Sequence, residues 1–182
     1  FARTKMLLLC TLRGSITIWQ GEELGLPQVD VPFERLQDPE AIANWPQTLS
    51  RDGARTPMPW TSTAPQLGFS TAEPWLPVGE AHRLLAVDRQ EGRADSTLQF
   101  SRDCLRLRKA HAALRTGSMR VLEAGDQLLV FERVAGGERV RCTFNLSELP
   151  TRSARCGRPL LSAGQVDAEI IGSYAALVEV VE

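Results

Sequence analysis

The residues best suited to chemistry lie in one stretch of the sequence, between residues 20 and 60. Arg55 is the leading candidate, because a guanidinium carries forked donors that suit vicinal hydroxyls or a carboxylate. Asp52 precedes it by three residues and is a candidate ion-pair partner. The residues therefore leave two roles open for Arg55, ligand recognition and a structural ion pair.

The same stretch has no clear helical or strand period, and at about forty residues it is longer than an ordinary connection. Trp45, Met58 and Trp60 are poor residues to leave in water, which argues against disorder. We therefore expect a structured loop that either packs its own aromatic side chains or shapes a pocket.

Three segments of this stretch resemble one family. Residues 20–27 are Gln-Gly-Glu-Glu-Leu-Gly-Leu-Pro, residues 33–39 are Phe-Glu-Arg-Leu-Gln-Asp-Pro, and residues 51–60 are Arg-Asp-Gly-Ala-Arg-Thr-Pro-Met-Pro-Trp. In order and spacing they resemble the α-glucosidases of glycoside hydrolase family 13, the α-amylase family. The resemblance covers residues 1 to about 114 well and the remainder by pattern only, and it makes the chain similar to the C-terminal third of such an enzyme.

The resemblance implies roles for two residues in substrate binding. In similar α-glucosidases the arginine that matches Arg55 lies in the closed end of the pocket and helps to hold the terminal glucose. A sealed pocket implies exo-action, since the sugar chain cannot extend past it. Glu34 is a second candidate, for the site that accepts the leaving sugar, with a surface salt bridge as the alternative.

The catalytic residues of the family have no counterpart in this chain. A retaining glycosidase needs two carboxyl groups about 5 Å apart, and the resemblance implies an Asp nucleophile, a Glu acid/base and a second Asp. No residue here matches those motifs, so no catalytic residue is assigned. Glu22 and Glu23 are adjacent and point to opposite sides, so we expect them to pair with arginines or cap backbone amides.

The elements around the loop predict a barrel end followed by a β domain. Residues 2–12 are predicted as a helix and residues 15–19 as a short strand that leads into the loop, which suits the eighth strand of a (β/α)8 barrel. Ser96-x-x-Gln99 is a capping box that opens a helix to about Leu114. The predicted fold is α/β plus all-β: residues 1–115 form the end of the barrel, with its last helix-strand-loop-helix, and residues 116–182 form a small antiparallel C-terminal β-sandwich.

The β domain is predicted from short runs of strand-forming residues separated by turns. The expected strands are residues 119–122, 127–134 and 139–146, with two more near 168–171 and 174–181. Gly136-Gly137 is the predicted hairpin turn between two of them.

The composition of the chain argues against several classes of partner. Lys and Arg total 21 against 22 Asp and Glu, so we expect no nucleic acid partner. No apolar run approaches the roughly 20 residues that span a membrane, so we expect no membrane partner either. The four cysteines and two histidines lack metal-ligand spacing, which predicts no metal, no cofactor and free thiols in a reducing, cytoplasmic compartment.

Taken with the resemblance, these features favour the C-terminal portion of an exo-acting, retaining α-glucosidase that hydrolyses terminal α-linked glucose from maltose-like oligosaccharides. Its expected partners are a small oligosaccharide substrate and the missing N-terminal barrel portion, without which the chain is predicted to be inactive. The alternatives are a sucrose isomerase or trehalose-forming relative, or a non-catalytic β-sandwich module with a barrel remnant.

Overall fold

The computed structural model describes residues 1–48 and 50–181, and these divide into two compact units. The β-sheet unit combines residues 1–17 with the chain from residue 100 onward. The loop unit is Ile18–Gln99. The α-helices of the described chain, in order, are α1 (Ala2–Thr11), α2 (Pro39–Ala43), α3 (Val87–Gln90), α4 (Thr97–Ala110) and α5 (Ala112–Thr116).

The strands all lie in the β-sheet unit and pair antiparallel. They are β1 (Ser118–Ala124), β2 (Leu128–Ala135), β3 (Glu138–Asn145), β4 (Thr151–Arg152), β5 (Arg158–Ala163), β6 (Ile170–Ile171) and β7 (Ala176–Val181). The main sheet has the order β1-β2-β3-β7-β5, and β4 pairs with β6 in a second, two-stranded sheet. Gly136 and Gly137 have φ values of 56° and 85°, which confirms the predicted hairpin turn between β2 and β3.

One face of the main sheet carries the core of the β-sheet unit. Its fully buried apolar residues include Phe131, Val140, Cys142, Phe144 and Val178. Helix α5 packs against β2 and β3, and α1 packs against β3 and β5. The helices at both ends of the predicted barrel segment thus share a compact unit with the sheet, while the predicted boundary at residues 115 and 116 stays a prediction.

Arg133 ties the helical part of this unit to the sheet. The residue is fully buried, and its guanidinium donates to the carbonyls of Thr11 at 2.6 Å, Gly117 at 3.0 Å and Ser118 at 3.3 Å. Burial lowers the pKa of Arg133 below its usual value. Three carbonyl acceptors compensate part of the cost of desolvating the cation, and they fix the end of α1 beside the start of β1.

The predicted helix from residue 97 is interrupted near its end. The Ser96 hydroxyl accepts a hydrogen bond from the Gln99 amide at 3.1 Å, as the capping box predicts. The helix then breaks at His111, and α5 starts afresh. Glu138 explains the break, since its carboxylate accepts the Ala113 amide at 2.9 Å and lies 2.6 Å from His111 Nδ1.

The loop unit has no strand among its described residues and consists of short helices and turns. Besides α2 and α3 it contains 3₁₀ turns at Phe33–Arg35, Arg51–Ala54, Pro65–Gly68 and Glu80–Leu85. Residues 15–19, at the junction of the two units, also form no strand, so the strand predicted there is wrong for this structure. A barrel strand takes its hydrogen bonds from parallel neighbours on both sides, and the described chain supplies no parallel strand.

In the loop unit, hydrogen bonds from the Gln90 side chain connect backbone segments that no β-sheet joins. Gln90 is buried, and its amide nitrogen donates to the carbonyls of Leu24 at 2.9 Å and Leu85 at 2.8 Å. Its amide oxygen accepts the backbone amide of Leu98 at 2.9 Å. One polar side chain thus joins three parts of the unit.

Candidate functional site

Arg55 lies at the end of the 3₁₀ turn Arg51–Ala54. Its backbone has φ −112° and ψ 5°, and its side chain is 38% exposed. Its Nη1 atom lies 3.5 Å from Oδ1 of Asp52, the residue predicted from the sequence as a candidate ion-pair partner. Within residues 1–48 and 50–181 the Arg55 side chain makes no other hydrogen bond, so its remaining donors are available to a ligand.

Asp52 is held mainly by backbone amides rather than by Arg55. Its carboxylate is 1% exposed, and Oδ2 accepts the amides of Gln37 at 2.6 Å and Asp38 at 2.8 Å. The Asp52 amide itself donates to the Ser50 hydroxyl at 3.0 Å. The carboxylate is therefore a fixed anchor, against which Arg55 makes one long contact.

The backbone around Arg55 is fixed from outside the turn. Trp19 Nε1 donates to the Ala54 carbonyl at 2.7 Å, and Gln20 Nε2 donates to the Thr56 carbonyl at 3.0 Å. The Val29 amide donates to the Gly53 carbonyl at 3.1 Å. Trp19 and Gln20, which open the loop, therefore bind the backbone carbonyls on both sides of Arg55.

Gly53 allows the chain at Val29 to approach this turn. A Cβ atom at position 53 would lie 2.5 Å from the Val29 carbonyl oxygen, closer than such atoms come in practice. Because the clash is with backbone, no side-chain movement relieves it. The close approach of the Val29 backbone therefore requires a glycine at position 53.

Arg51 and Asp38 form a second anchor that the sequence did not indicate. Asp38 is fully buried, and its Oδ2 accepts both the Arg51 amide at 3.0 Å and Arg51 Nε at 2.8 Å. The Arg51 guanidinium also contacts Oδ1 and holds the pKa of Asp38 well below its usual range. The two residues are 13 positions apart in an irregular loop, so no periodicity could have paired them.

A small cavity lies against Arg55. It is lined by Gln20, Arg55, Thr56, Pro57, Phe69, Trp75 and Leu76. Its volume is about 70 Å³, room for roughly two waters and far below the roughly 300–1,000 Å³ of ligand pockets. The loop unit thus offers one wall of a site, with a cation and apolar side chains but no carboxylate on its lining.

Arg35 fixes the Trp75 side of the cavity. Its guanidinium donates to the Pro74 carbonyl at 2.7 Å, to the Trp75 carbonyl at 3.2 Å and to Glu73 Oε1 at 2.9 Å. The Trp75 side chain remains exposed. The resemblance indicated neighbouring Glu34 but not Arg35, whose partners lie 38 to 40 residues away, beyond the reach of any local pattern.

The structure does not bring Glu34 to this cavity. Glu34 is exposed in the turn Phe33–Arg35 and is absent from the cavity lining. No salt bridge of Glu34 occurs within the described part of the chain, and its role in substrate binding stays a prediction. Glu22 and Glu23 cap backbone amides as expected, accepting from Trp19 at 3.0 Å and Gly21 at 2.9 Å.

The described residues contain no group of three or more His, Cys, Asp or Glu side chains placed to hold a metal ion. No helix in the described ranges is long and apolar enough to cross a membrane. The four cysteines are free thiols.

A family model described as the alpha amylase catalytic domain matches residues 2–117, more than half of the 182 residues. The chain belongs to the α-amylase family. The match includes the whole loop unit, with Arg55 and its anchors. The resemblance inferred from residues 20–60 is confirmed.

Relatives of this α-amylase-family chain include named glucosidases. A probable α-glucosidase of Rhizobium meliloti (strain 1021) is 46% identical over 149 residues, which is 81% of this chain and 27% of the relative. A probable oligo-1,6-glucosidase 2 of Bacillus subtilis (strain 168) is 31% identical over 170 residues, 81% of this chain and 30% of the relative. The chain thus spans less than a third of the length of these relatives.

Solved structures match the fold over the whole chain. The α-glucosyl transfer enzyme XgtA has a TM-score of 0.88 and 41% identity, covering 100% of this chain and 35% of that one. Trehalulose synthase MutB from Pseudomonas mesoacidophila MX-45 has a TM-score of 0.88 at 23% identity, over 100% of this chain and 38% of that one, a likeness of fold. The predicted fold class of this family member, a (β/α)8 barrel end followed by a small antiparallel β domain, is confirmed.

Proposed function

We propose that this chain supplies the C-terminal portion of an exo-acting, retaining α-glucosidase that removes terminal α-linked glucose from maltose-like oligosaccharides. The observation that carries the proposal is Arg55, whose guanidinium makes one long contact with the buried Asp52 carboxylate and, among the described residues, keeps its other donors free beside an apolar wall. The 46% identity to a probable α-glucosidase supports the same activity. The catalytic carboxylates belong to a portion of the enzyme outside these 182 residues.

The geometry suits one end of a sugar-binding pocket. Arg55 can donate to hydroxyls of the terminal glucose, while Phe69 and Trp75 offer apolar surface to its C–H faces. We propose that in the intact enzyme this wall closes the pocket behind the terminal glucose, so that the sugar chain cannot extend past it and the enzyme is exo-acting. The nucleophile and the acid/base then act on the glycosidic bond from the other side of the site.

The exposed aromatic residues of the loop unit support a covering partner. Trp19 is 49% exposed, Trp60 51% and Trp75 78%. Large apolar groups gathered in one unit favour association when they are left in water. We propose that the remaining barrel portion of the same enzyme covers Trp19 and Trp60, and that the oligosaccharide covers Trp75, which lines the cavity.

A second candidate is transfer of the glucosyl group to an acceptor other than water. The 41% identity to an enzyme named for α-glucosyl transfer, over the whole of this chain, supports it. Hydrolysis and transfer share the glucosyl-enzyme intermediate of a retaining mechanism and differ in the group that attacks it. We also propose a cytoplasmic location, because Cys10, Cys104 and Cys142 are buried as free thiols.

The test is an assay of the intact protein encoded by the full reading frame. With maltose, isomaltose and a nitrophenyl α-glucoside, we expect release of glucose from the non-reducing end, first seen by NMR as the α-anomer. The 182-residue chain alone should release none. A reading frame that starts near Phe1, or an intact protein that leaves all three substrates untouched, would support the non-catalytic module instead.

A further inference from the structure

We propose that Gln20 is a positioning residue for Arg55, with Trp19 acting at the same turn. The inference deepens the proposed α-glucosidase function and rests on it. It assigns to the two residues that open the loop a role in sugar binding that operates through the backbone of Arg55.

The two side chains hold the backbone on either side of Arg55. Trp19 Nε1 donates at 2.7 Å to the Ala54 carbonyl, which belongs to the peptide unit leading into Arg55. Gln20 Nε2 donates at 3.0 Å to the carbonyl of Thr56, the next residue. Both distances are those of well-formed hydrogen bonds.

Few contacts direct the side chain of Arg55, although its backbone amide donates to the Asp52 carbonyl at 2.9 Å within the turn. Its own side chain has one long contact, 3.5 Å to Asp52, and is partly exposed. The direction of the guanidinium therefore depends on the peptide units that Trp19 and Gln20 hold.

The two residues differ in a way that separates positioning from direct binding. Gln20 lines the cavity beside Arg55, so its amide can also touch a ligand. Trp19 is not part of that lining, and its contact with the site is the hydrogen bond to Ala54. A defect shared by Gln20 and Trp19 variants therefore arises from the turn.

The first experiment is a double-mutant cycle on kcat/KM in the intact enzyme. We expect Gln20→Ala and Trp19→Phe each to lower kcat/KM by about tenfold, the effect of one lost hydrogen bond near the active site. In an Arg55→Ala background the same changes should lower it by no more than about twofold, because coupled residues are non-additive. Losses that add in full would overturn the proposal and assign Gln20 to direct contact or to general stability.

The second experiment uses the pH dependence of Gln20→Glu. An ionised carboxylate at position 20 has no hydrogen for the Thr56 carbonyl, whereas the protonated acid can donate one. The loss in kcat/KM relative to wild type should therefore shrink as pH falls toward the carboxyl pKa. Gln28→Glu is the matched control, since Gln28 is exposed in the same unit, and it should show no such rescue.

The outcomes separate the two proposals. If Arg55→Lys loses activity while Gln20 and Trp19 variants keep theirs, positioning is wrong and the α-glucosidase function stands. If the wild-type enzyme releases no glucose, the proposed function fails and the positioning role fails with it. Should Gln20→Ala fail to fold, Trp19→Phe and Gln20→Glu still decide the matter, and an unrescued Gln20→Glu with a fully additive Trp19→Phe would overturn it.

Discussion

The Arg55 guanidinium lies 3.5 Å from the Asp52 carboxylate, while the amides of Gln37 and Asp38 approach that carboxylate to 2.6 and 2.8 Å. The shorter distances show that the Asp52 carboxylate binds mainly the backbone amides of the loop. The Arg55 side chain is 38% exposed, so solvent screens its long contact with the buried carboxylate and the pair contributes on the order of 1 kcal/mol or less. The ion pair is thus a weak reason to keep an arginine at position 55. Recognition of the terminal glucose is therefore the role that we propose for Arg55.

Asp52 is accordingly expected to matter for stability more than Arg55 does. Asp52→Ala leaves two backbone amides without their acceptor and should lower the free energy of unfolding by about 1–3 kcal/mol per buried donor. Chemical denaturation of the intact enzyme measures it. Asp30→Ala, at an exposed site in the same unit, is the control; equal effects of the two changes would contradict the anchor role.

Gly53→Ala tests the close approach of Val29. The added Cβ would meet the Val29 carbonyl oxygen at 2.5 Å, so the turn that carries Arg55 has to shift. We expect a stability loss of about 1–3 kcal/mol, as for overpacking, and a raised KM. A Cβ atom at Gly125 would meet nothing nearer than 4.0 Å, so the control Gly125→Ala should change neither quantity. Wild-type KM and melting temperature in Gly53→Ala would refute the close approach.

The Asp38–Arg51 pair predicts a pH effect on stability. Arg51 depresses the pKa of Asp38 from its ordinary 3.8, so the pair's stabilisation is present above that value and is lost as pH falls toward the lower, folded pKa. Arg51→Ala should lower the melting temperature at pH 7, and its deficit should narrow below about pH 4. A deficit that is constant from pH 7 to pH 3 would contradict the pairing.

The thiols should resist labelling in the native protein. Hydrogen bonding with Cys10 and burial raise the pKa of Cys104, and burial raises that of Cys142 to about 12. The hydrogen bond with Cys104 lowers the pKa of Cys10, but Cys10 is fully buried and out of reach of a reagent. A thiol reagent at pH 8 should therefore modify Cys156 alone, and slowly, because burial and Glu179 raise its pKa as well. All four should react after denaturation without reductant. Fewer than four would reveal a disulfide.

Local sequence patterns predicted the elements that depend on residues nearby in the sequence. The Ser96 cap and the Gly136-Gly137 turn depend on contacts a few residues apart, and β2 and β3 pair as a hairpin around that turn. These features were predicted correctly. Strand β5 was missed because Pro159 makes its segment a poor strand by composition. It is tolerated because β5 is an edge strand of the main sheet.

Tertiary partners explain what the sequence could not predict. Residues 15–19 have the composition of a strand but no parallel neighbour in the described chain. The site anchors Arg35–Trp75 and Asp38–Arg51 join residues far apart in an irregular loop, where no period relates them. The resemblance located Arg55, but the bonds of Trp19 and Gln20 that position it needed the structure.

The most direct test of the account is kcat/KM and melting temperature for Arg55→Lys in the intact enzyme. A point charge cannot reproduce the guanidinium fork, and losing a charge-assisted hydrogen bond costs about 1.5–3 kcal/mol, or roughly ten- to a hundredfold in kcat/KM. We expect that loss against every α-glucoside tested, because the terminal glucose is common to all, with the melting temperature nearly unchanged. A clear drop in melting temperature with kcat/KM intact per folded molecule would contradict the account and leave Arg55 a structural ion-pair residue.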